Sequence, residues 1–327
     1  MNLDKIDVSV IICCYNSVNR IVPTLEYLFK QKICTLSCEL VIVDNNCSDN
    51  TAILAKELWN SLGNPFPMVV VSESKPGLSY ARKKGVIAAQ GEILVFCDDD
   101  NWLSSNYLHD AYSLMKLMPK IGIIGGWSKP VFEIEKPYWF DEVSDSFACG
   151  GYTNENLEPT LFVWGAGMVI RNEIASEIFK NNLVLEGRSG EILTAGDDTE
   201  ICERVVTLGY EVYKSNKLFF EHFITKERLT IDYLRRLYIG FGYSSTKKSF
   251  IEYNKPMKYL TIHLVRTIYI LSNILIKFLK NNSKKKRLLF LDFFLLKGNW
   301  KFLNSYVLNK LPRLKGLHKV KFRLLFY

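Results

Sequence analysis

The sequence predicts an α/β fold built around a parallel sheet, and three observations carry that prediction. Short apolar runs alternate with stretches of helical spacing from residue 8 onward. Each run ends in polar or acidic residues, and the central one, Glu92 to Trp102, breaks off into three adjacent carboxylates, Asp98, Asp99 and Asp100. A short apolar run bounded by polar residues reads as a strand buried on both faces, and open α/β sheets bind ligands beyond the carboxyl ends of such strands.

Taken in order, Val8 to Cys14 is a β-branched strand that ends in Tyr15-Asn16-Ser17, and apolar residues from Ile21 to Phe29 recur at helical spacing. Leu40 to Val43 repeats the pattern, ending at Asp44-Asn45-Asn46 before a helical stretch from Thr51 to Leu62. Two βα units in succession imply right-handed crossovers. Met68 to Val71 forms a third strand, Pro76-Gly77-Leu78-Ser79 starts a helix that carries Arg82, and the acidic strand comes fourth. A helix from Tyr107 to Met118 leads to a strand at Ile121 to Gly126 that ends in a flexible glycine pair. Residues 127–159 are rich in aromatics, Pro and Gly with little periodicity, as functional loops often are. Leu161 to Arg171 reads as a strand broken by Gly165-Ala166-Gly167, Asp197 and Asp198 open a helix that runs to Leu208, and Leu218 to Phe223 closes the sheet with His222.

Three adjacent carboxylates raise one another's pKa unless a cation sits among them. A hard divalent ion takes one or two carboxylates together with substrate phosphates, so the triplet suits a metal-bridged diphosphate as well as it suits a solvated acidic turn. Neither a GxGxxG turn after the first strand nor a Walker lysine loop is present, which disfavours dinucleotide-binding and P-loop enzymes. Capping and the helix dipole account for one carboxylate at residues 197–198, but two exceed that need. Trp127 and Trp164 offer flat faces that would suit sugar rings or ordinary packing.

The net charge of +8 is unevenly divided: from Lys255 to Tyr327 there are 17 Lys and Arg against the single acid Asp292. The eight cysteines form no CxxC pair, and several lie in strand-like runs, so reduced buried thiols and a cytosolic setting are expected. Residues 1–7 are polar with two acids and show no secretion signal.

The ordered set Val8 to Asn16, Val41 to Asn46, Pro76 to Arg82, Asp98-Asp99-Asp100, Gly165-Ala166-Gly167 and Gly196-Asp197-Asp198 resembles a family 2 glycosyltransferase, and Gly187-Arg188-Ser189-Gly190, the Asp197-Asp198 pair, His222 and Arg228-Leu229-Thr230 are similar to its bacterial surface-polysaccharide type. The resemblance implies a GT-A (Rossmann-like) fold, with a mixed, mainly parallel sheet flanked by helices. Residues 1–230 would form a nucleotide-sugar-dependent domain, and 231–327 a helical, basic extension. It also implies that Cys14, Tyr15, Asn16, Asp44, Asn46, Gly77, Arg82, Asp98, Asp99 and Asp100 line the donor site, with Asp44 on the nucleoside and Asp98 near the ribose. Asp100 and His222 would hold Mn²⁺ or Mg²⁺, and Asp198 would be the general base. Trp127, Trp164, Gly165, Asp197, Arg188 and Arg228 would serve the acceptor or the diphosphate. Asp197 stands where many relatives carry Glu.

The expected reaction is inverting transfer from a nucleotide sugar, UDP by family frequency, to a glycan or lipid-linked glycan. A sugar nucleotidyltransferase and a non-catalytic glycan- or lipid-binding protein are the alternatives. The absence of a Gly-rich basic loop near the first strand counts against the former, and the intact Asp100 and Asp198 against the latter. Tyr259 to Leu279 contains His263, Arg266, Asn273 and Lys277, too polar for a spanning helix. With the Lys284-Lys285-Lys286-Arg287 cluster, residues 255–327 suit an anionic membrane surface at the inner face of the cell membrane, whereas the apolar runs between the basic clusters argue against nucleic acid.

Overall fold

The structure is a computed structural model that describes residues 5–33, 35–188, 193–253, 267–268, 271–272 and 289–303. The chain divides into two compact units, Met1–Gly190 with Asp197–Thr230, and Glu191–Gly196 with Ile231–Tyr327.

The first unit is a nine-stranded mixed sheet with helices on both faces. Its strands are β1 (Val8–Cys14), β2 (Cys38–Asp44), β3 (Met68–Ser72), β4 (Ile93–Asp98), β5 (Asn101–Leu103), β6 (Ile121–Phe132), β7 (Glu158–Pro159), β8 (Val169–Arg171) and β9 (Glu211–Ile224). The order is β3-β2-β1-β4-β8-β6-β9-β5, with β7 paired to β9. The block β3-β2-β1-β4 is parallel, while β8 runs antiparallel between β4 and β6. Helices α1 (Ile21–Phe29), α2 (Thr51–Ser61), α3 (Leu78–Ala88), α4 (Tyr107–Leu117), α5 (Asn172–Phe179) and α6 (Asp197–Thr207) cover it.

Why β1 is apolar at nearly every position follows from the period of two. Val8, Val10, Ile12 and Cys14 face one core with Leu25 of α1 and Trp59 of α2. Ile11 faces the other, with Ala81 and Val86 of α3 and Ile174 of α5. Each fully buried aliphatic side chain contributes about 1.5–3 kcal/mol, so a strand filled on both sides anchors the sheet. The cysteines at 13, 14, 38, 47, 97, 149 and 202 are free thiols.

Two sequence expectations need correction. The glycine pair does not end its strand: β6 continues to Phe132 along β9, and a register shift between Gly125 and Trp127 marks a bulge where side chains would be in the way. The strand expected from Leu161 is confined to Val169–Arg171, because residues 161–168 carry the small residues of an open loop and find no ladder.

In the second unit, α7 (Ile231–Tyr253) and α8 (Leu289–Phe302) cross closely. A Cβ at Gly242 would lie 2.0 Å from the Leu295 carbonyl oxygen, and the Thr246 hydroxyl meets the Asn299 side-chain amide at 2.9 Å. Most of the basic region expected at 255–327, including the Lys284 to Arg287 cluster, lies outside the described residues. Among the described residues no helix is long and apolar enough to cross a membrane.

Candidate active site

Because β1 lies between β2 and β4, the loops after these three strands meet at one edge, with Cys14 opposite Asp44 and Cys13 opposite Asp98. Asn16 and Asn46 adopt left-handed backbone at φ 50° and 57°, a conformation Asn tolerates better than most residues. The Asn16 Oδ1 accepts from Ser48 N–H at 2.8 Å, which ties the first loop to the second, and within the second the Asp44 Oδ1 accepts from Cys47 N–H at 3.0 Å. Tyr15 stands exposed beside them. Buried Asn45, which sequence reasoning passed over, is the clamp of this edge. Its amide donates to the Glu73 and Lys75 carbonyls at 3.1 and 2.7 Å, and its Oδ1 accepts from Gly77 N–H at 2.9 Å.

The three acids of the triplet point to three different partners. Asp98 is the most open, with a third of its side chain exposed and its Oδ1 4.0 Å from Arg82. Asp99 is buried on the protein's own loop, paired with Arg20 at 2.8 Å and hydrogen-bonded by the Ser17 hydroxyl. Burial and the neighbouring Asp100 push its carboxyl up, against Arg20 and Ser17. Arg20 and Ser17 are the partners that sequence reasoning missed.

Asp100 is 6% exposed and carries the densest charge arrangement. Its Oδ1 lies 3.4 Å from His222 Nε2, its Oδ2 accepts from Arg228 Nη1 at 2.8 Å, and Arg228 Nη1 is 3.3 Å from the His222 Nε2. Burial alone would raise the Asp100 carboxyl, but His222, then Arg228 and Arg188, hold it well below the usual carboxylate range. Burial likewise works against a charged His222, yet Asp100 raises it to about 9. The short strand β5 makes this meeting possible, since Asn101 pairs with His222 across to β9. Asn101 itself is fully buried; its amide donates to Asp100 Oδ1 at 3.2 Å, and its Oδ1 accepts from Asp98 N–H.

Among the described residues, no group of three or more His, Cys, Asp or Glu side chains is arranged to hold a metal ion. Asp100 and His222 nevertheless place a carboxylate oxygen and an imidazole nitrogen 3.4 Å apart, a pair that can ligate a divalent ion once His222 gives up its proton, because an imidazolium and the adjacent Arg228 guanidinium both oppose the ion. Two protein ligands of this kind fit a divalent cation that draws the rest of its shell from diphosphate and water.

The second acidic pair opens α6. Asp198 Oδ2 accepts from Gly165 N–H at 3.3 Å and its Oδ1 from Thr199 N–H at 2.8 Å. Burial, then the charge of Asp197, raises its carboxyl to about 6, against the pull of Arg82. Asp197 is buried and receives Nη1 of Arg82 at 2.5 Å. Arg82 therefore reaches from Asp197 of the second cluster to Asp98 of the first. It is only 3% exposed and turned to the protein interior.

Trp127 sits on β6 with its Nε1 donating to the Asn216 carbonyl at 2.8 Å and its ring edge-on to Tyr152 at 5.0 Å. Trp164 packs against Gly151, so both tryptophans border the loop at 150–152, and Trp164 immediately precedes the Gly165 that holds Asp198. Arg188 is exposed, within electrostatic reach of Asp100.

Comparison with known proteins bears on this geometry. Glycosyltransferase GlyA of Streptococcus pneumoniae is 24% identical over 232 residues, which cover 69% of this chain and 32% of GlyA. A glucosyl-dolichyl phosphate glucuronosyltransferase of Haloferax volcanii is 22% identical over 72% of this chain and 75% of its own. The first curated relatives are matched over only 28% to 32% of their length. Among solved structures, the mannosyltransferase PcManGT of Pyrobaculum calidifontis, in complex with GDP-Man and Mn²⁺, superposes with a TM-score of 0.59. It is 16% identical, over 93% of this chain and 89% of that one. TarS residues 1–349 of Staphylococcus aureus with UDP-GlcNAc gives 0.53 at 15% identity, over 95% and 84%. At such identities the likeness establishes the fold, which is GT-A. Residues 9–179, more than half of the chain, match the profile of glycosyl transferase family 2, and this protein belongs to that family.

Proposed function

We propose that this glycosyltransferase is metal-dependent and inverting. In this reading it moves a sugar from a UDP-linked donor to a hydroxyl of a glycan or lipid-linked glycan during bacterial surface-polysaccharide synthesis. The observation that carries the reading is that Arg82 lies between the two acidic clusters, one with Asp100 against His222 and Arg228 and the other with Asp198 beside Asp197. The ligands bound in structural neighbours, UDP-GlcNAc in TarS and GDP-Man with Mn²⁺ in PcManGT, support a nucleotide-sugar donor and a divalent ion.

Asp100 and His222 would hold Mn²⁺ or Mg²⁺. When bound, the ion would neutralise charge on the departing diphosphate. Arg228, already against Asp100, would add a fixed positive charge at the same oxygens, the kind of preorganised electrostatics that often dominates catalysis. Asp44 and Asn16 would hold the nucleoside, with Tyr15, Asn46 and Gly77 shaping the edge and Asp98 facing the ribose. Trp127 and Trp164 would seat the acceptor, and Asp198 would take the proton from its hydroxyl. The new bond from acceptor oxygen to the anomeric carbon forms as the bond to phosphate breaks on the opposite face, so the anomeric configuration inverts. Residues 1–230 would carry the chemistry. The strongly basic 255–327 would hold the enzyme to an anionic membrane surface, with 17 Lys and Arg against one acid as its support.

Incubation with UDP-GlcNAc, UDP-glucose, UDP-galactose, GDP-mannose and dTDP-glucose tests this, in MnCl₂ and in EDTA. Release of a nucleoside diphosphate in MnCl₂ alone is expected. Release of pyrophosphate from a sugar phosphate and nucleoside triphosphate would point to nucleotidyl transfer instead, and equal turnover in EDTA would overturn the metal requirement.

A further inference from the structure

A fully buried guanidinium is costly unless its charge and donors are met, so the partners of Arg82 indicate what it is there to hold. Its Nη1 donates to Asp197 at 2.5 Å, its Nη2 lies 4.0 Å from Asp98, and its plane stands 5.4 Å from the centre of the Phe96 ring. The Gly165 backbone rests directly on it: a Cβ there would come within 2.2 Å of Nη2. That same Gly165 donates its N–H to Asp198, while Asp197 is the residue before Asp198 on α6. Two routes thus run from Arg82 to one carboxyl, one along the helix start and one through the Gly165 peptide.

We infer that Arg82 is the positioning residue of the catalytic base: its buried guanidinium fixes Asp198 in place through Asp197 on one side and Gly165 on the other, and it makes no contact with the donor. The inference rests on Asp198 being the base. Arginine suits the task because its rigid planar fork can serve two carboxylates and a backbone at once, which an ammonium on a flexible stem does not. The charged groups around Asp198 are Asp197 and Arg82, with Asp98 beyond them. The thiols of Cys13 and Cys202, both pushed up to about 12 by burial first of all, stay neutral. Arg82 draws the Asp198 carboxyl down and Asp197 draws it up, so removing each has opposite consequences.

The test uses the full chain as Arg82→Gln, Arg82→Lys, Asp197→Asn and Asp198→Asn. Release of UDP from UDP-GlcNAc, UDP-glucose or UDP-galactose, whichever the wild type turns over fastest, is followed across pH in MnCl₂, and UDP binding is followed by calorimetry. In Arg82→Gln, kcat should fall about 10- to 100-fold, as for a misplaced catalytic group. Its acid limb should move up by about one pH unit, the scale of losing a neighbouring opposite charge. UDP affinity should stay within about threefold, since ground-state binding is untouched. Arg82→Lys keeps the charge without the fork, so its limb stays while kcat remains low. In Asp197→Asn the limb should move down. Weaker UDP binding with an unmoved limb in Arg82→Gln would overturn the inference and return Arg82 to the donor site. Should Arg82→Gln fail to fold, a limb that does not move down in Asp197→Asn overturns it. Wild-type turnover in Asp198→Asn would instead remove the base assignment beneath it.

Discussion

The guanidinium of Arg228 and the carboxylate of Asp100 meet at 2.8 Å, and His222 stands 3.4 Å from the other oxygen of the same carboxylate. One acid thus faces two basic side chains, while Asp98 and Asp99 point elsewhere.

Asp100→Asn keeps the shape of this arrangement and removes the charge. Calorimetry in MnCl₂ should show UDP affinity reduced about 10- to 100-fold, the loss seen when even a supporting partner of a metal ligand is removed. In EDTA the two proteins should bind UDP alike. Equal affinity in MnCl₂ would show that Asp100 does not hold the ion.

Asp198→Asn is expected to lower kcat by about 100- to 10,000-fold, the typical contribution of a positioned base, with UDP affinity retained. The side chain keeps its size, and its remaining oxygen can still accept from Gly165 or Thr199. Steady-state turnover beside calorimetry on the same sample separates the two effects.

The pH dependence follows from the same carboxyl. Asp198 must be ionised to accept a proton, and burial followed by Asp197 raises it to about 6. Activity should therefore be full above that value and fall as pH drops through it, by about tenfold per unit well below it. A limb near pH 4, where an ordinary Asp titrates, would mean that a different or more open carboxylate sets the rate.

Tyr107→Phe tests the support beneath the site. The buried Tyr107 hydroxyl donates to the Gly167 carbonyl at 2.5 Å, at the end of the loop that carries Gly165. Its removal leaves a buried acceptor unmet, at about 1–3 kcal/mol, and urea denaturation should record a midpoint lowered accordingly. An unchanged midpoint would show that the loop does not depend on this bond.

Much of this was legible in the sequence because β1, β2 and β4 are apolar on both faces and end in polar residues, which places Asp44 and the acidic triplet at one edge before any coordinate is known. Asp198 and His222 were singled out with Asp100 by the family resemblance rather than by the strand pattern. What each acid of the triplet touches was not. Asp99 serves Ser17 and Arg20, some 80 positions earlier, and no local spacing encodes that pairing. The burial of Arg82 was not legible because its helix carries Lys83 and Lys84 beside it, and only packing reveals that Arg82 is turned inward. Asn45 and Asn101 were missed because a buried asparagine looks like a turn residue until its partners are seen. The extent of β6 was hidden by glycines that mark a bulge inside the ladder rather than its end.

The pairing of Asn101 with His222 brings together residues 121 positions apart through a strand only three residues long. Side chains alternate faces along a strand, so slippage by a single residue there would swing the imidazole to the far side of the sheet. An inserted or deleted residue within Asn101–Leu103 or the last turn of ladder in β9 should thus abolish transfer outright, whereas changes of length in the exposed loop at 133–138 leave this alignment alone.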